Sequence, residues 1–460
     1  MAETVKIISP IDGSVYAERP VASGAEIEAA VIKAKAAKIA WGEVTIPERA
    51  KILTHFVDAL ANANDAIVPE LAWQMGRPVR YGGEKRGVEE RARHMISIAE
   101  ESLKPVDKTD KPGFRRFISR EALGTVMVIA PWNYPYLTAI NSIVPGLMAG
   151  NSIILKHASQ TLLVGERFAE AAAVAGLPEG LFQNLVLNHA DTEKLIASGQ
   201  IDHINFTGSV EGGRRIERAA AGTFATLGLE LGGKDPAYVR ADANVDHAFE
   251  NLVDGSFFNS GQSCCGVERI YVHEAVYDRF VEGFVDTARS WTLGNPLDAD
   301  TVVGPMARGN FADLVREQKA EALRKGATAH LGTKHALDKE GSPYLAPEVL
   351  TNVNHQMSVM REESFGPIVG IMKVADDAEA ITLMNDSPYG LTASLWTADL
   401  DAAAKLGARI ETGTVFANRC DYLDPALVWT GVKDTGKGGA LSEIGYANLT
   451  QPKSFHLRDI

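Results

Sequence analysis

The chain has only three cysteines in 460 residues, two of them adjacent at Cys264 and Cys265. That excludes a disulfide framework and a Cys-x-x-Cys metal pattern, fits a reducing compartment, and leads to the expectation of a cytoplasmic protein without a metal site. Basic residues are in deficit, 46 against 59 acidic for a net charge of -13, and they are scattered rather than gathered into a stripe. A nucleic-acid partner is therefore not expected. Met1 to Val15 has no basic region leading into an apolar core and no small-residue cleavage signal, so nothing there reads as an export sequence. Charge is missing altogether between Ala122 and Leu155, a stretch longer than the ~20 residues that a bilayer span requires. Pro131, Pro135 and Pro145 interrupt it, and lipid could not satisfy Asn133, Asn141, Ser142 and Asn151. A buried segment is expected there and a membrane span is not. Repeats of short period, low-complexity tracts and a Gly-x-Gly-x-x-Gly fingerprint are all missing.

What is present is an ordinary globular composition, 45% hydrophobic and 23% charged, in a chain longer than the about 250 to 300 residues of one core. Two or three domains are expected. The first hundred residues read as helical. Ser23 and Glu26 are spaced as a capping box before an Ala-rich run to Trp41, and Thr45, Pro47 and Glu48 open a second helix whose face is Ile52, Phe56 and Leu60. A charged helix is expected over 84–102 and exposed strands between Phe114 and Ala122, a ribbon able to reach another subunit. From Ser152 short apolar strands alternate with helices, and a second such series has strands near Ile270, Val369 and Val415. This rhythm predicts an α/β fold, two α/β domains in tandem built from parallel units.

Several segments carry residues suited to chemistry. Cys264 follows a Gly-containing turn between a helix and a strand, which can expose a thiol, although a sparse cysteine is more often a small buried hydrophobe than a nucleophile. A free thiol has a pKa of about 8.5, so a nucleophilic Cys264 needs activation. Glu230 ends a strand in the apolar run Leu229 to Lys234, where burial would raise its pKa toward that of a general base; a charged strand edge is the other reading. Asn133 lies between Pro131 and Pro135, positioned to donate to a developing oxyanion, or within an aromatic turn of a core. Lys156 ends a strand, and Phe206-Thr207-Gly208-Ser209 enters a helix whose N-terminus could hold an anion.

Taken together in order and spacing, these blocks resemble the aldehyde dehydrogenase superfamily across nearly the whole chain. The resemblance rests on Pro131-Trp132-Asn133, Phe206 to Ser209, Glu230-Leu231-Gly232-Gly233-Lys234, Gly261-Gln262-Ser263-Cys264 and Glu362 to Pro367. It implies Cys264 as nucleophile, Glu230 as general base and Asn133, with the Cys264 amide, as oxyanion donors. It further implies NAD or NADP as cofactor, held among Ile129, Trp132, Asn133, Lys156, His157, Ala158, Ser159, Gly208, Ser209, Leu231, Glu363 and Phe365. The implied reaction is hydrolytic oxidation of a small-molecule aldehyde. A thiol acyltransferase and a non-catalytic crystallin-like protein are the alternatives. The implied architecture is a dinucleotide-binding domain at 1–104 and 123–232, a catalytic domain at 233–433, and a β oligomerisation arm and tail at 105–122 and 434–460 of a homodimer or homotetramer.

The chain departs from the family pattern at several positions. Ser159 stands where many relatives carry the carboxylate that grips the adenosine ribose, which leads to the expectation that NADP is accepted as well as NAD; His157 there could add positive charge at lower pH. Ser142 and Ala440 replace a Lys and a Glu that relay protons in many relatives, so another exit, by way of water, is expected. Asn141 and Phe258 match positions of arginines in the succinic semialdehyde branch. Uncharged or cationic aldehydes are therefore expected, against walls of Tyr134, Phe258 and Tyr422 and an anionic rim at Asp421 or Asp424, with Arg419 the main residue that speaks for an acidic substrate instead.

Overall fold

The uncharged stretch between Ala122 and Leu155 forms the centre of a parallel sheet. In the computed structural model, which describes residues 3–108, 110–332 and 335–459, it folds as strand Thr125–Ala130, helix Pro135–Met148 and strand Ser152–His157. Met1, Ala2, Thr109, Thr333, Lys334 and Ile460, which belong to the expected domain ranges, lie outside the described residues. Both strands are buried along their whole length, and so they read as continuous apolar runs rather than as alternation. Pro135 opens the helix, where its missing N–H breaks no bond. Pro145 does not break the stretch as expected but lies inside that helix, near its end. Among the described residues no helix is long and apolar enough to cross a membrane.

Six strands make this sheet, in the order Gly436–Lys437, Thr226–Glu230, His203–Thr207, Thr125–Ala130, Ser152–His157 and Phe182–Asn184, parallel except for the first. Val126, Val128 and Ala130 pack on one face with helices Ile46–Asn62 and Lys85–Leu103, while Met127 and Ile129 pack on the other. This is the two-residue period of a strand buried on both sides. A second sheet follows, ordered Thr328–Ala329, Glu348–Thr351, Ile368–Val374, Val267–His273, Asp235–Val239, Thr392–Trp396 and Thr414–Ala417. It too buries side chains on both faces, with Ala237 and Val239 in one core and Tyr238 in the other.

A three-stranded ribbon pairs Phe114–Ala122 with Thr450–Arg458 and Val106–Asp107, and Phe117 stacks on Phe455 with ring centroids 4.4 Å apart. Gly436 and Lys437, inside the range expected for the tail, pair with Glu230 and Leu229 in the six-stranded sheet. Both capping boxes form, at Ser23 with Glu26 and at Thr45 with Glu48. Ahead of them Thr4–Ile8 pairs with Val15–Pro20, a hairpin in a region expected to be helical.

Candidate active site

In a parallel sheet the backbone turns away at the C-terminal strand ends and leaves a crevice for ligands. Trp132 and Asn133 leave the strand Thr125–Ala130 at that end, Lys156 to Ser159 leave its neighbour Ser152–His157, Gly208 and Ser209 leave His203–Thr207, and Leu231 leaves Thr226–Glu230. Facing them are the N-terminal ends of three adjacent strands of the second sheet. Lys234 precedes Asp235–Val239, Cys264 precedes Val267–His273, and Phe365 precedes Ile368–Val374.

A cavity of about 310 Å³ fills part of the crevice. Its walls include Trp132, Asn133, Gly208, Ser209, Leu231, Glu363 and Phe365, seven of the twelve residues expected to touch the cofactor. Trp132 stacks on Phe311 at 5.5 Å and meets Phe365 edge-on at 5.6 Å, an apolar slot for a flat ring. Ser209 caps the helix Val210–Ala220 by accepting from Gly212 N. Cβ atoms at Gly208 and Gly212 would strike the Phe206 ring, and one at Gly232 would strike the Glu363 carboxylate. Lys156 is buried with no hydrogen-bond or ion-pair partner among the described residues, and burial pushes its pKa down to about 8. Helix N-terminus, close backbone, aromatic slot and unpaired cation are the features that a nicotinamide dinucleotide requires.

A strained turn presents Cys264. Asn259, Ser260 and Gly261 adopt φ of 54°, 59° and 69° in succession; left-handed backbone costs about 1–2 kcal/mol for each non-glycine residue. Side chains hold it: Ser260 Oγ donates to the Gly304 carbonyl at 2.9 Å, and Asn259 Nδ2 donates to the Asn133 carbonyl at 3.1 Å. Cys264 emerges half-buried, whereas Cys265 is buried and donates its S–H to Asp421 Oδ1 at 2.8 Å. Hydrogen bonding with Cys264 and burial push the Cys265 thiol well above its ordinary pKa. Asn133 points its amide toward this turn, Nδ2 donating to the Gln262 carbonyl at 3.2 Å.

A second cavity of about 450 Å³ lies on the outer side of Cys264, and the two cavities share three residues, Thr207, Glu230 and Cys264. Burial pushes Glu230 up to about 7, opposed by the positive charge of Arg91 and by Thr207. Tyr134, Phe258 and Tyr422 form aromatic walls and Asp421 belongs to the wall, as expected, beside two arginines that were not expected. Arg86 and Arg91 line this cavity together with Glu90, Asp254 and Asp421, and the buried Arg91 donates to the Leu137 carbonyl at 3.1 Å. Arg419 instead lies over the Tyr422 ring at 3.7 Å and is not in the wall. Asp421 lines the wall and accepts from Cys265 and Ser263, whereas Asp424 is not in the wall. Asn141 reaches the wall with neither end of its amide hydrogen-bonded.

Two buried ion pairs that the sequence does not announce fix the loops. Arg77 pairs with Glu84 and donates to the Asn133 carbonyl at 2.5 Å and to Asn259 Oδ1 at 3.2 Å. Glu84 accepts from Tyr136 N and Leu137 N, capping the helix that follows Asn133. Lys234 pairs with Glu268, whose carboxylate accepts from Ser364 N and Phe365 N at 2.8 and 2.9 Å. Glu363 in turn accepts from Gly233 N at 2.9 Å.

Five expected cofactor contacts stand apart from the cavity. Ile129 is packed in the core beside Lys156, its strand neighbour. His157 is a correction. Its ring is buried, Nδ1 accepts from Ala158 N at 3.0 Å, and Nε2 lies 3.3 Å from the Pro135 carbonyl. Burial pushes its pKa down to about 4, so it brings no positive charge at physiological pH. Ala158 and Ser159 lie at the surface end of the strand, and there Arg308 Nη2 donates to Ser159 Oγ at 3.4 Å. Arg308 forms no ion pair among the described residues; Gln160 Oε1 accepts from its Nε at 3.0 Å.

A thiol and a carboxylate at the junction of two cavities, one of them a dinucleotide cradle, define a nicotinamide-dependent oxidoreductase. The family model described as "Aldehyde dehydrogenase family" matches residues 1–455. An aldehyde dehydrogenase of Paenarthrobacter nicotinovorans is 34% identical over 98% of this chain and 99% of that protein. A protein of Escherichia coli K12 named succinate semialdehyde dehydrogenase (NAD(P)+) is 32% identical over 95% of this chain and 94% of its own length. The crystal structure of succinate-semialdehyde dehydrogenase from Burkholderia pseudomallei superposes with a TM-score of 0.94 at 28% identity, covering 99% of this chain and 95% of that one. The chain belongs to the aldehyde dehydrogenase family.

Proposed function

We propose that the protein oxidises an aldehyde to the carboxylic acid with NAD or NADP and hydrolyses a thioester on Cys264. The observation that carries this reading is the shared boundary: Cys264 and Glu230 belong to the walls of both the dinucleotide cavity and the outer cavity. An aldehyde in the outer cavity is attacked at its carbonyl carbon by the Cys264 thiolate. Asn133 Nδ2 and the Cys264 N–H hold the oxygen that becomes negative. The bound cofactor supplies the acceptor for the hydride that leaves this carbon. Glu230, ionised in the upper half of its range, then takes a proton from water as that water adds to the thioester carbon. Collapse breaks the C–S bond and returns Cys264.

In the crevice Trp132, Gly208, Ser209, Leu231, Glu363 and Phe365 would hold the cofactor, with Lys156 toward its ribose and phosphates. Ser159, Lys156 and Arg308 leave no carboxylate to repel a 2′-phosphate, which favours use of both NAD and NADP. Arg91 and the unpaired Asn141 amide suit an aldehyde whose far end is polar, and Glu90, Asp254 and Asp421 in the same wall keep the uncharged or cationic preference expected from sequence beside an anionic one. The exposed ribbon suits a homodimer or homotetramer, and the three free thiols suit the cytoplasm. The reading is tested by following reduced cofactor over a panel of succinic semialdehyde, uncharged aldehydes and amino aldehydes with each cofactor. No reduction with any of them would contradict it.

A further inference from the structure

The outer cavity takes its polar groups from two separate parts of the fold. Helices Lys85–Leu103 and Pro135–Met148 supply Arg91 and Asn141, while helix Val245–Phe257 and the residue after it supply Asp254 and Phe258. Arg91 donates to the Leu137 carbonyl, and Asn141 stands one turn beyond Leu137 on the same helix, so guanidinium and amide share one corner. That corner is buried and incomplete. Arg91 forms no ion pair among the described residues, because Glu84, the carboxylate that acts on its charge most strongly, is committed to Arg77. Asn141 is only 3% exposed, yet neither its Nδ2 nor its Oδ1 has a hydrogen-bond partner among the described residues. Such groups are costly to leave unmet, and a ligand can complete them. The second part differs. Asp254 opens onto the cavity and also has no partner among the described residues. The protein around it, and then the nearby Asp421, push its pKa up to about 6, which leaves it ionised at neutral pH. Phe258 lies one turn beyond it, its ring held edge-on to Tyr81 at 4.6 Å, so a carboxylate and an aromatic ring stand together. Of the other charges in the wall, Glu90 accepts from Tyr422 Oη at 2.6 Å, Asp421 accepts from Cys265 and Ser263, and Arg86 is exposed.

We propose that the outer cavity selects an aldehyde whose far end carries an ammonium and a carboxylate on one carbon, an amino acid semialdehyde. The proposal rests on the aldehyde-oxidising reading of this site and narrows its substrate. Arg91 suits the carboxylate, and Asp254 with the Phe258 ring suits the ammonium. Asn141 requires the two charges to be neighbours, because a carboxamide offers a donor and an acceptor side by side, Nδ2–H for the carboxylate and Oδ1 for the ammonium. A substrate with the carboxylate alone leaves Asp254 and Asn141 Oδ1 facing an anion. One with the ammonium alone sets a cation beside Arg91, and an uncharged chain leaves every one of these groups unmet. The oxidation balances as for any aldehyde: the hydride passes with its electron pair to the cofactor, and water supplies the second oxygen. The product is an amino dicarboxylate.

Matched aldehydes test this by removing one charge at a time. Aspartate semialdehyde loses its ammonium in succinic semialdehyde, its carboxylate in 3-aminopropanal and both in propanal; a set built on glutamate 5-semialdehyde repeats the comparison one carbon longer. At one of the two lengths, kcat/KM for the doubly charged aldehyde is expected to exceed that of each singly charged one about tenfold. Arg91→Met should bring that aldehyde level with its ammonium-only partner. Asp254→Asn should cut its advantage over the carboxylate-only partner about fivefold, the upper end for a partly exposed pair. Asn141→Leu should lower both ratios. Each is a ratio within one variant, so a loss of stability or a moved Glu230 pKa cancels. An unaltered protein that prefers the anionic, cationic or uncharged aldehyde at both lengths overturns the proposal, as do ratios that all three substitutions leave unmoved. Failure of the oxidative reading shows separately, as the absence of reduced cofactor with every one of these aldehydes.

Discussion

The Cys265 thiol donates to Asp421 Oδ1 at 2.8 Å, and this single contact distinguishes two adjacent cysteines. Cys265 is held protonated in the core, and Cys264 alone meets both cavities. Cys264→Ser is expected to abolish turnover, because an alcohol is a far poorer nucleophile at this pH. Cys265→Ser retains much of it, since serine can donate to Asp421 in the same way. Steady-state assays of both variants check this, and equal losses would contradict the assignment.

The sign of the pH dependence follows from burial of Glu230. Its pKa is raised to about 7 and its ionised form is the base, so hydrolysis strengthens as pH rises through 7 and weakens below it. Arg91 opposes the shift by favouring the carboxylate. In Arg91→Met the midpoint of the kcat profile is expected to move to higher pH, provided deacylation limits turnover. The same variant should raise KM for succinic semialdehyde more than for an uncharged aldehyde. A midpoint and a KM ratio both unmoved would remove Arg91 from the site.

Asn133→Ala is expected to lower kcat by about 10² to 10³, the loss for one oxyanion donor. Arg77 acts on Asn133 from behind. Removing it in Arg77→Met leaves Glu84 charged and buried without its partner, at about 3–5 kcal/mol of stability, and lets the Asn133 loop drift. Thermal unfolding together with kcat tests both effects. A stable Arg77→Met protein with full activity would contradict the positioning role.

Cofactor choice is tested by kcat/KM for NAD and NADP in the unaltered protein, Ser159→Glu and Arg308→Gln. The first substitution places a carboxylate where a 2′-phosphate would lie, and the second removes the cation beside it. Both should shift the ratio toward NAD. A protein blind to NADP, or ratios that do not move, would show that selectivity is set elsewhere.

The residues legible in the sequence are those whose roles depend on local backbone. Cys264 follows its turn, Glu230 ends its strand, and Ser209 caps its helix within one short segment each. Arg77, Glu268 and Arg308 act across 182, 97 and 149 positions, on Asn259, Phe365 and Ser159, and no local pattern marks such contacts. His157 is illegible for a different reason. Its strand is buried on both faces, so there is no alternation to say which way a side chain points. Arg91 lies on an amphipathic helix whose buried side includes it among Val88, Ala92 and Met95, a face set by tertiary packing.

The central claim is a thioester on Cys264 that only Glu230 clears. Glu230→Gln mixed with aldehyde and oxidised cofactor, quenched within the first turnover and analysed by peptide mass spectrometry, tests it most directly. The account predicts about one reduced cofactor per chain and an acyl adduct on Cys264 that persists. Reduced cofactor without any adduct, or an adduct on Cys265, would contradict it.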